Sequence, residues 1–279
     1  MSIHYAVLPR VTDVHALPTR QLLPNTHLSG NTRYYGVMTS LSDNESTTVV
    51  IATLRSPFKQ KFAIPRQPNL VREARGQLVF HSPYNDPNTL RGIEQFTHLW
   101  LLFRFHATAD QGWSPTVQPP RLGGKERVGV YACRSPFRPN PIGLSVVENL
   151  GVESIAGELI LHVGGIDLLD QTPIIDIKPY VPYADAVSGA EAGFAQDAPG
   201  APNRVLYSEQ ATQALAENVD RLPDLSAFIT SLLQQDPRPA WRAKPTDNKQ
   251  YGMALYDLNI KWRIEPDYIE VVSIKSLSE

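Results

Sequence analysis

Apolar residues come in short blocks, and nearly every block is bounded by proline, glycine or asparagine. The run TVVIATL (48–54) has the β-branched density of a buried strand and stops at Ser56 and Pro57. GQLVFH (76–81) predicts a second strand, and HLWLLFRFH (98–106) a third, apolar enough to be buried on most of both faces. Residues 127–133, 141–150 and 158–164 predict three more. Asp86 before Pro87 reads as an N-cap and first helical position, opening a short helix with Leu90, Ile93 and Phe96 or Thr97 on one face. Strands separated by turns, with little helix between them, predict a mainly β fold built on an antiparallel sheet or barrel.

Beyond residue 183 the pattern changes. Between Tyr183 and Leu225 seven acidic residues face two arginines, and alanine and glycine accumulate. This predicts a linker over 186–207 followed by a solvent-facing helix. Asp224 then caps a second helix with Leu225, Phe228, Ile229, Leu232 and Leu233 on one face, and residues 251–263 and 268–274 read as paired strands. The chain therefore divides into an N-terminal arm (1–47) with no sustained period, a β domain (48–185), the linker, and a small α+β domain (208–279).

Composition narrows the function classes. Of 279 residues 24 are proline, about 9% against a usual ~5%, which leaves little room for long interior helices. Basic and acidic residues number 26 and 28, so the molecule is no general polycation and any binding of nucleic acid must be local. Cys133 is the one cysteine; it excludes an intrachain disulfide and two-cysteine zinc or redox motifs, and fits a reducing compartment. The apolar run 99–103 ends at Arg104, and no long apolar stretch follows a basic start, so the reading is a soluble, cytosolic protein without a membrane segment.

Common catalytic signatures are missing. Gly124-Lys125 lacks the flanking residues of a phosphate-cradling loop, no G-x-G-x-x-G follows a strand, and neither G-x-S-x-G nor H-E-x-x-H occurs. His98 and His106 stand eight apart on a predicted strand, on one face but too far apart to share a metal ion, and no metal site is expected. Two segments do carry chemistry. Residues 113–144 hold Arg121, Lys125, Arg127, Arg134 and Arg138 against Glu126 alone, on loops stiffened by six prolines. Guanidinium groups on rigid loops suit phosphate or carboxylate recognition; a solvated basic loop built from tight Arg-Pro-Asn-Pro turns is the equal alternative. Residues 164–183 hold Asp167, Asp170, Asp176 and Lys178. Paired acids here either bind a cation or accept a proton, or they form a turn at 167–172 and an ordinary Asp176–Lys178 pair on one strand face opposite Ile175 and Ile177.

The strings FAIPRQP (62–68), GVYACRSPFRPNPIGLS (129–145), DLLDQTPIIDIKPY (167–180) and DPRP (236–239) resemble the TsaA/YaeB-like family, whose characterised bacterial members, the TrmO type, are S-adenosylmethionine-dependent tRNA adenine-N6 methyltransferases. The resemblance runs from about residue 49 to 264 and implies a single-sheeted antiparallel β-barrel methyltransferase domain, a homodimer, and cofactor at or near the subunit interface. It implies cofactor contacts from Gln67, Pro68, Asn69, His106, Ala107, Arg134, Leu144, Gly164, Gly165, Ile166 and Asp167. Asn69 stands where relatives are expected to carry glycine, a position calling for positive φ that Asn tolerates. The implied acceptor is the N6 of threonylcarbamoylated adenosine at tRNA position 37. Asp170 or Asp167 is then the candidate proton acceptor, with Arg138 and Asn140 beside the reacting groups. Arg121, Lys178, Tyr180, Arg238, Arg242 and Lys244 are the candidate tRNA contacts, the last three within a C-terminal stretch (236–263) of six bases against three acids. Trp241, Tyr251 and Trp262 interleave with those bases as candidate stacking partners, although Trp262 fits burial in a strand pair better. Cys133 reads as a packing residue. A non-enzymatic cofactor- or RNA-binding module and a small-molecule methyltransferase are the alternative functions.

Overall fold

The computed structural model describes residues 48–123, 125–197, 204–238 and 247–278. Eight strands occupy the first part: β1 (Ala52–Arg55), β2 (Arg75–Phe80), β3 (His98–Arg104), β4 (Thr116–Val117), β5 (Val128–Gly129), β6 (Ile142–Ile155), β7 (Glu158–Gly164) and β8 (Thr172–Pro179). Six of them close into an antiparallel barrel in the order β1-β2-β7-β6-β3-β8, while β4 and β5 form a separate two-stranded ribbon. After the short helix α1 (Pro182–Asp185), strand β9 (Arg204–Tyr207) leads to helices α2 (Glu209–Glu217) and α3 (Leu225–Gln234), then to strands β10 (Asp247–Leu255), β11 (Leu258–Ile264) and β12 (Tyr268–Ser276). These last strands make a sheet in the order β10-β11-β12-β9, with β9 parallel to β12.

Inside the barrel, alternation does what the pleat requires. Leu99, Leu101 and Phe103 of β3 point inward and are buried, whereas His98, Trp100, Leu102 and Arg104 point outward. The long apolar run is thus buried fully on one face only. Gly143 of β6 leaves the space that the Phe103 ring fills. A register shift between Leu102 and Phe103 places Ile174 and Ile177 of β8 both against the core, leaving Asp176 and Lys178 paired at 2.8 Å on the outside.

Several local expectations give way to tertiary structure. The first strand starts at Ala52 rather than residue 48. The helix expected after Asp86 is two 3-10 turns, Pro87–Leu90 and Ile93–Gln95, separated by Gly92 at φ 88°; the Asp86 side chain does accept from Asn88 N. Residues 127–133 are not a barrel strand: pairing ends at Gly129, and Val130–Ala132 turn as a 3-10 helix. The strand bearing His98 ends at Arg104, so His106 begins a 3-10 turn and does not share its face. Asp224 makes no side-chain cap to α3 and instead bridges Arg75 at 3.1 Å.

The C-terminal sheet is not a free appendage. Phe58, fully buried on the β1–β2 connection, pairs with Leu255 of β10 and meets Phe228 of α3 edge-on at 5.8 Å. Tyr256 N donates to Pro57 O at 2.8 Å. One apolar cluster therefore runs from Leu54 and Leu78 in the barrel through Phe58 to Phe228, Leu255 and Trp262. Removing the Phe58 ring leaves a cavity at that junction. Phe58→Ala is expected to lower unfolding free energy by about 3–5 kcal/mol, read from urea titration. Barrel and C-terminal sheet should still unfold in a single transition.

Candidate active site

Because the six barrel strands alternate in direction, the connections β1–β2 (56–74), β3–β6 (105–141) and β7–β8 (165–171) all leave the same end of the barrel. Almost all of the residues assigned to the cofactor by resemblance lie on these three connections. They meet where β6 outruns β7: β6 pairs with β3 from Ile142 to Glu148, but with β7 only from Glu148 onward. Along the uncovered stretch, Asn69 Nδ2 donates to Val146 O at 3.1 Å, and Asn69 N donates to Gly165 O at 2.9 Å. Asn69 is left-handed at φ 62°, as its position demanded. Gly165, at φ 67°, lies so close to it that a Cβ would collide with the Asn69 Oδ1.

Ser145 Oγ, buried in the barrel wall, donates to Asp167 Oδ1 at 2.6 Å. Burial pushes the Asp167 carboxyl up to about 6, against the opposing pull of the Ser145 hydroxyl and the Arg134 charge. Arg134 Nη1 donates to Gln67 Oε1 at 2.6 Å. Gln67, Pro68, Asn69, Arg134, Gly165 and Asp167 thus form one constellation. Beside it an open groove of about 430 Å³ runs along the outer face of β3 and β6, lined by Pro68, Arg134, Leu144, Val146, Trp100, His98, Tyr180 and Asp185. That size lies within the usual ~300–1,000 Å³ of small-molecule sites. Tyr180 packs on Trp100 at 5.7 Å between ring centres, and the indole Nε1 donates to Asp185 Oδ2 at 3.0 Å.

Other candidates lie elsewhere. Asp170 accepts from Ser56 N and Lys59 Nζ, each at 2.7 Å. Burial raises its carboxyl, but those hydrogen bonds and the Lys59 charge outweigh burial and hold it below its ordinary value. His106 and Ala107, like Gln67, Asn69 and residues 164–167, are absent from the groove lining itself; burial lowers the His106 imidazole, the Asp170 charge opposing. Arg138 donates to the carbonyls of Val130 and Cys133 and folds its own loop instead of reaching the groove. The half-buried Cys133 thiol rests on Val130 O at 3.5 Å. Asn140 is exposed, and Arg121 donates to Asp197 O. Arg238 is 5% exposed and forks onto Asp236, with Nε–Oδ1 at 2.8 Å and Nη2–Oδ2 at 2.9 Å, so it offers no open charge to a phosphate. Trp262 is buried and stacks on Tyr251 at 4.7 Å. Trp241, Arg242 and Lys244 lie outside the described residues. Among the described residues no three His, Cys, Asp or Glu side chains gather as metal ligands, and no helix is long and apolar enough to cross a membrane.

His98, Trp100 and Asp185, which line the groove, and Ser145, which holds Asp167, were not among the residues assigned to this site from the sequence. The alternation in HLWLLFRFH sets His98 and Trp100 on the face opposite Leu99 and Leu101, and a small polar Ser145 at an inward position was the other available signal.

Comparison with known proteins agrees with the geometry. The family model described as the tRNA-methyltransferase O N-terminal domain matches residues 53–186, and the TrmO C-terminal domain matches 200–277. The tRNA (adenine(37)-N6)-methyltransferase of Escherichia coli K12 is 47% identical over 225 residues, 81% of this chain and 96% of that protein. The enzyme of the same name from Eikenella corrodens is 44% identical over 170 residues, 61% of this chain and 92% of its own length. The crystal structure of TrmO from Pseudomonas aeruginosa superposes with a TM-score of 0.69 at 41% identity, covering 82% of this chain and 98% of that one.

The Asp167 shift has a thermodynamic consequence of definite sign. Its folded value, about 6, lies above the ordinary 3.8, so the folded state holds the extra proton between those values and stability falls as pH rises through about 6. In Asp167→Asn this component is absent. The variant should gain about 1–3 kcal/mol over the wild type on going from pH 4 to pH 7.5, measured by denaturant titration at both pH values.

Proposed function

The chain belongs to the tRNA-methyltransferase O family, and we propose that it is an S-adenosylmethionine-dependent tRNA (adenine(37)-N6)-methyltransferase acting on the threonylcarbamoylated adenosine next to the anticodon. The observation that carries this reading is the joining of Gln67, Asn69, Arg134 and Gly165 around the half-buried Asp167–Ser145 pair, beside an open groove, in a chain that matches both family domains in order. The site fits the cofactor: Arg134 offers a cationic fork to a carboxylate, the exposed Gln67 side chain offers an amide, and Leu144 and Pro68 supply apolar wall. Gln67, Pro68, Asn69, Arg134, Leu144 and the segment 164–167 would hold it. When bound, S-adenosylmethionine supplies an already activated methyl group.

The protein's task is then to position the acceptor nitrogen and take its proton. Adenine N6 is a weak nucleophile because its lone pair is delocalised into the ring. Asp167 suits proton removal: it titrates near 6, is ionised at neutral pH, and is more basic than an ordinary carboxylate. Ser145 fixes its orientation through the 2.6 Å hydrogen bond. Asp170, held ionised by Lys59, is the poorer base. Tyr180 and Trp100 offer the acceptor base an aromatic wall. The reading includes a cytoplasmic homodimer. Its support is family membership and an exposed apolar strip on β6, where Ile142, Leu144, Leu150 and Val152 face outward beside the groove.

The test is incubation of the pure protein with labelled S-adenosylmethionine and bulk tRNA, with and without the threonylcarbamoyl group, followed by digestion to nucleosides. Label should appear in N6-methylated adenosine from modified tRNA only. The rate should fall below an apparent pKa near 6, because protonating Asp167 removes the acceptor. Asp167→Asn should cut kcat by about 10²–10⁴-fold and abolish that limb. Ser145→Ala removes a hydrogen bond that favours the carboxylate, so it should move the limb to higher pH. No label in tRNA of either kind, from protein that binds S-adenosylmethionine, would defeat the reading.

A further inference from the structure

The β3–β6 connection carries its charge on an ordered frame. β4 and β5 pair Thr116 with Gly129 and Val117 with Val128, and Val130 N donates to Pro115 O at 3.0 Å. Arg127 Nε and Nη2 reach Thr116 Oγ1 and O at 2.9 and 2.7 Å. Ser114 N donates to Phe137 O at 3.2 Å, and Lys61 stands over the Phe137 ring at 5.7 Å. A solvated basic loop has no need of such bracing. On this frame Trp113 is 59% exposed and Tyr131 79% exposed. The Val130–Pro115 hydrogen bond closes the end of the ribbon that carries both, two residues from Trp113 and one from Tyr131.

Two large aromatic faces left in water, on a stiff support with Lys125, Arg127 and Arg134 close in sequence and Glu126 as the one acid, match one kind of ligand well. Unpaired bases stack on aromatic side chains irrespective of identity, and their phosphates meet the cations. An acidic peptide would engage the cations and give the rings no partner. The C-terminal part, by contrast, exposes Lys249, Lys261 and Lys275 but keeps its other described candidate RNA contacts engaged. Trp262 is buried, Arg238 is clamped by Asp236, and Arg263 is held by Glu265 and Glu270 at 2.9 and 2.6 Å.

We infer that the β4–β5 ribbon is the platform for the tRNA anticodon loop, with unpaired bases stacked on Trp113 and Tyr131 and phosphates beside Lys125 and Arg127. This rests on the proposed tRNA methylation and adds where the RNA lies. The same segment continues to Arg134 at the groove, so a base neighbouring the stacked ones is led toward that groove.

The experiment uses the full chain and a fluorescent anticodon stem-loop RNA, titrated at several salt concentrations. Affinity for S-adenosylmethionine by calorimetry, sedimentation velocity and the methylation assay are read alongside. Trp113→Ala and Tyr131→Ala should each weaken RNA binding about tenfold at unchanged salt slope, since no charge is removed, and Trp113→Phe and Tyr131→Phe should recover most of it. The double variant Lys125→Gln/Arg127→Gln should flatten the slope by about 0.7 per lost phosphate contact. All variants should keep the wild-type affinity for S-adenosylmethionine, and KM for tRNA should rise more than kcat falls. Wild-type RNA affinity in the double variant Trp113→Ala/Tyr131→Ala would overturn the inference. So would loss of RNA binding that tracks a smaller sedimenting species, because the rings would then belong to an interface between copies. A protein that binds the stem-loop through these rings yet methylates no tRNA would sink the proposed reaction and leave the platform standing.

Discussion

The 14-residue strand β6 is longer than either neighbour can cover, and its two halves are paired on different sides. Residues 148–155 pair with β7, residues 142–148 with β3, so the edge of 142–147 that faces away from β3 has no strand against it. Backbone groups and small polar side chains in a barrel wall must find partners, because an unpaired buried group costs about as much as a lost hydrogen bond. Here the partners are Asn69 on Val146 O and Asp167 on Ser145 Oγ. Closing the wall and assembling the site are therefore the same event. The β1–β2 and β7–β8 connections cannot drift away without exposing β6.

Two aspartates three residues apart on one connection are shifted in opposite directions by environment alone. Asp170 collects a lysine and a backbone N–H, both of which favour the anion, and it ties the start of the β1–β2 connection to the end of the β7–β8 connection. Asp167 collects one neutral hydroxyl and a deeper position, and its carboxyl rises to about 6. The fixed anion maintains the loop geometry in which the other can act as a base. A sequence offers both as Asp in DLLDQT and says nothing of which lysine will arrive from 111 residues away, or which serine from 22.

That asymmetry marks what could be read from the chain. β6, β7 and the buried face of α3 were legible, because alternation and the spacing of Leu225, Phe228, Ile229, Leu232 and Leu233 are local signals. The basic connection stood out by its charge and was misread as structure: its apolar residues 127–133 look like a strand, yet only Val128 and Gly129 pair. The HLWLLFRFH run hid the groove, since an outward Trp100 covered by Tyr180 and tied to Asp185 resembles a core residue in sequence. Arg238 was counted as an open cation because its acceptor is two residues away at a turn where Asp236 takes φ 42°, a conformation that composition does not announce.

Arg238 also explains why the C-terminal part need not touch RNA to matter. Its carbonyl accepts from Arg66 Nη2 at 3.2 Å, and Arg66 immediately precedes Gln67, Pro68 and Asn69. The Asp236–Arg238 clamp thus holds the rear of the segment whose front covers the open edge of β6. Phe58 anchors the same connection lower down, against Phe228 and Leu255. Arg238, fixed to Asp236 by its side chain and to Arg66 by its carbonyl, acts on the groove through the backbone it positions, so removing its charge changes the site by releasing that segment. Loss of activity on altering Arg238 would accordingly carry no information about tRNA contact unless RNA affinity and the order of residues 66–69 were measured together.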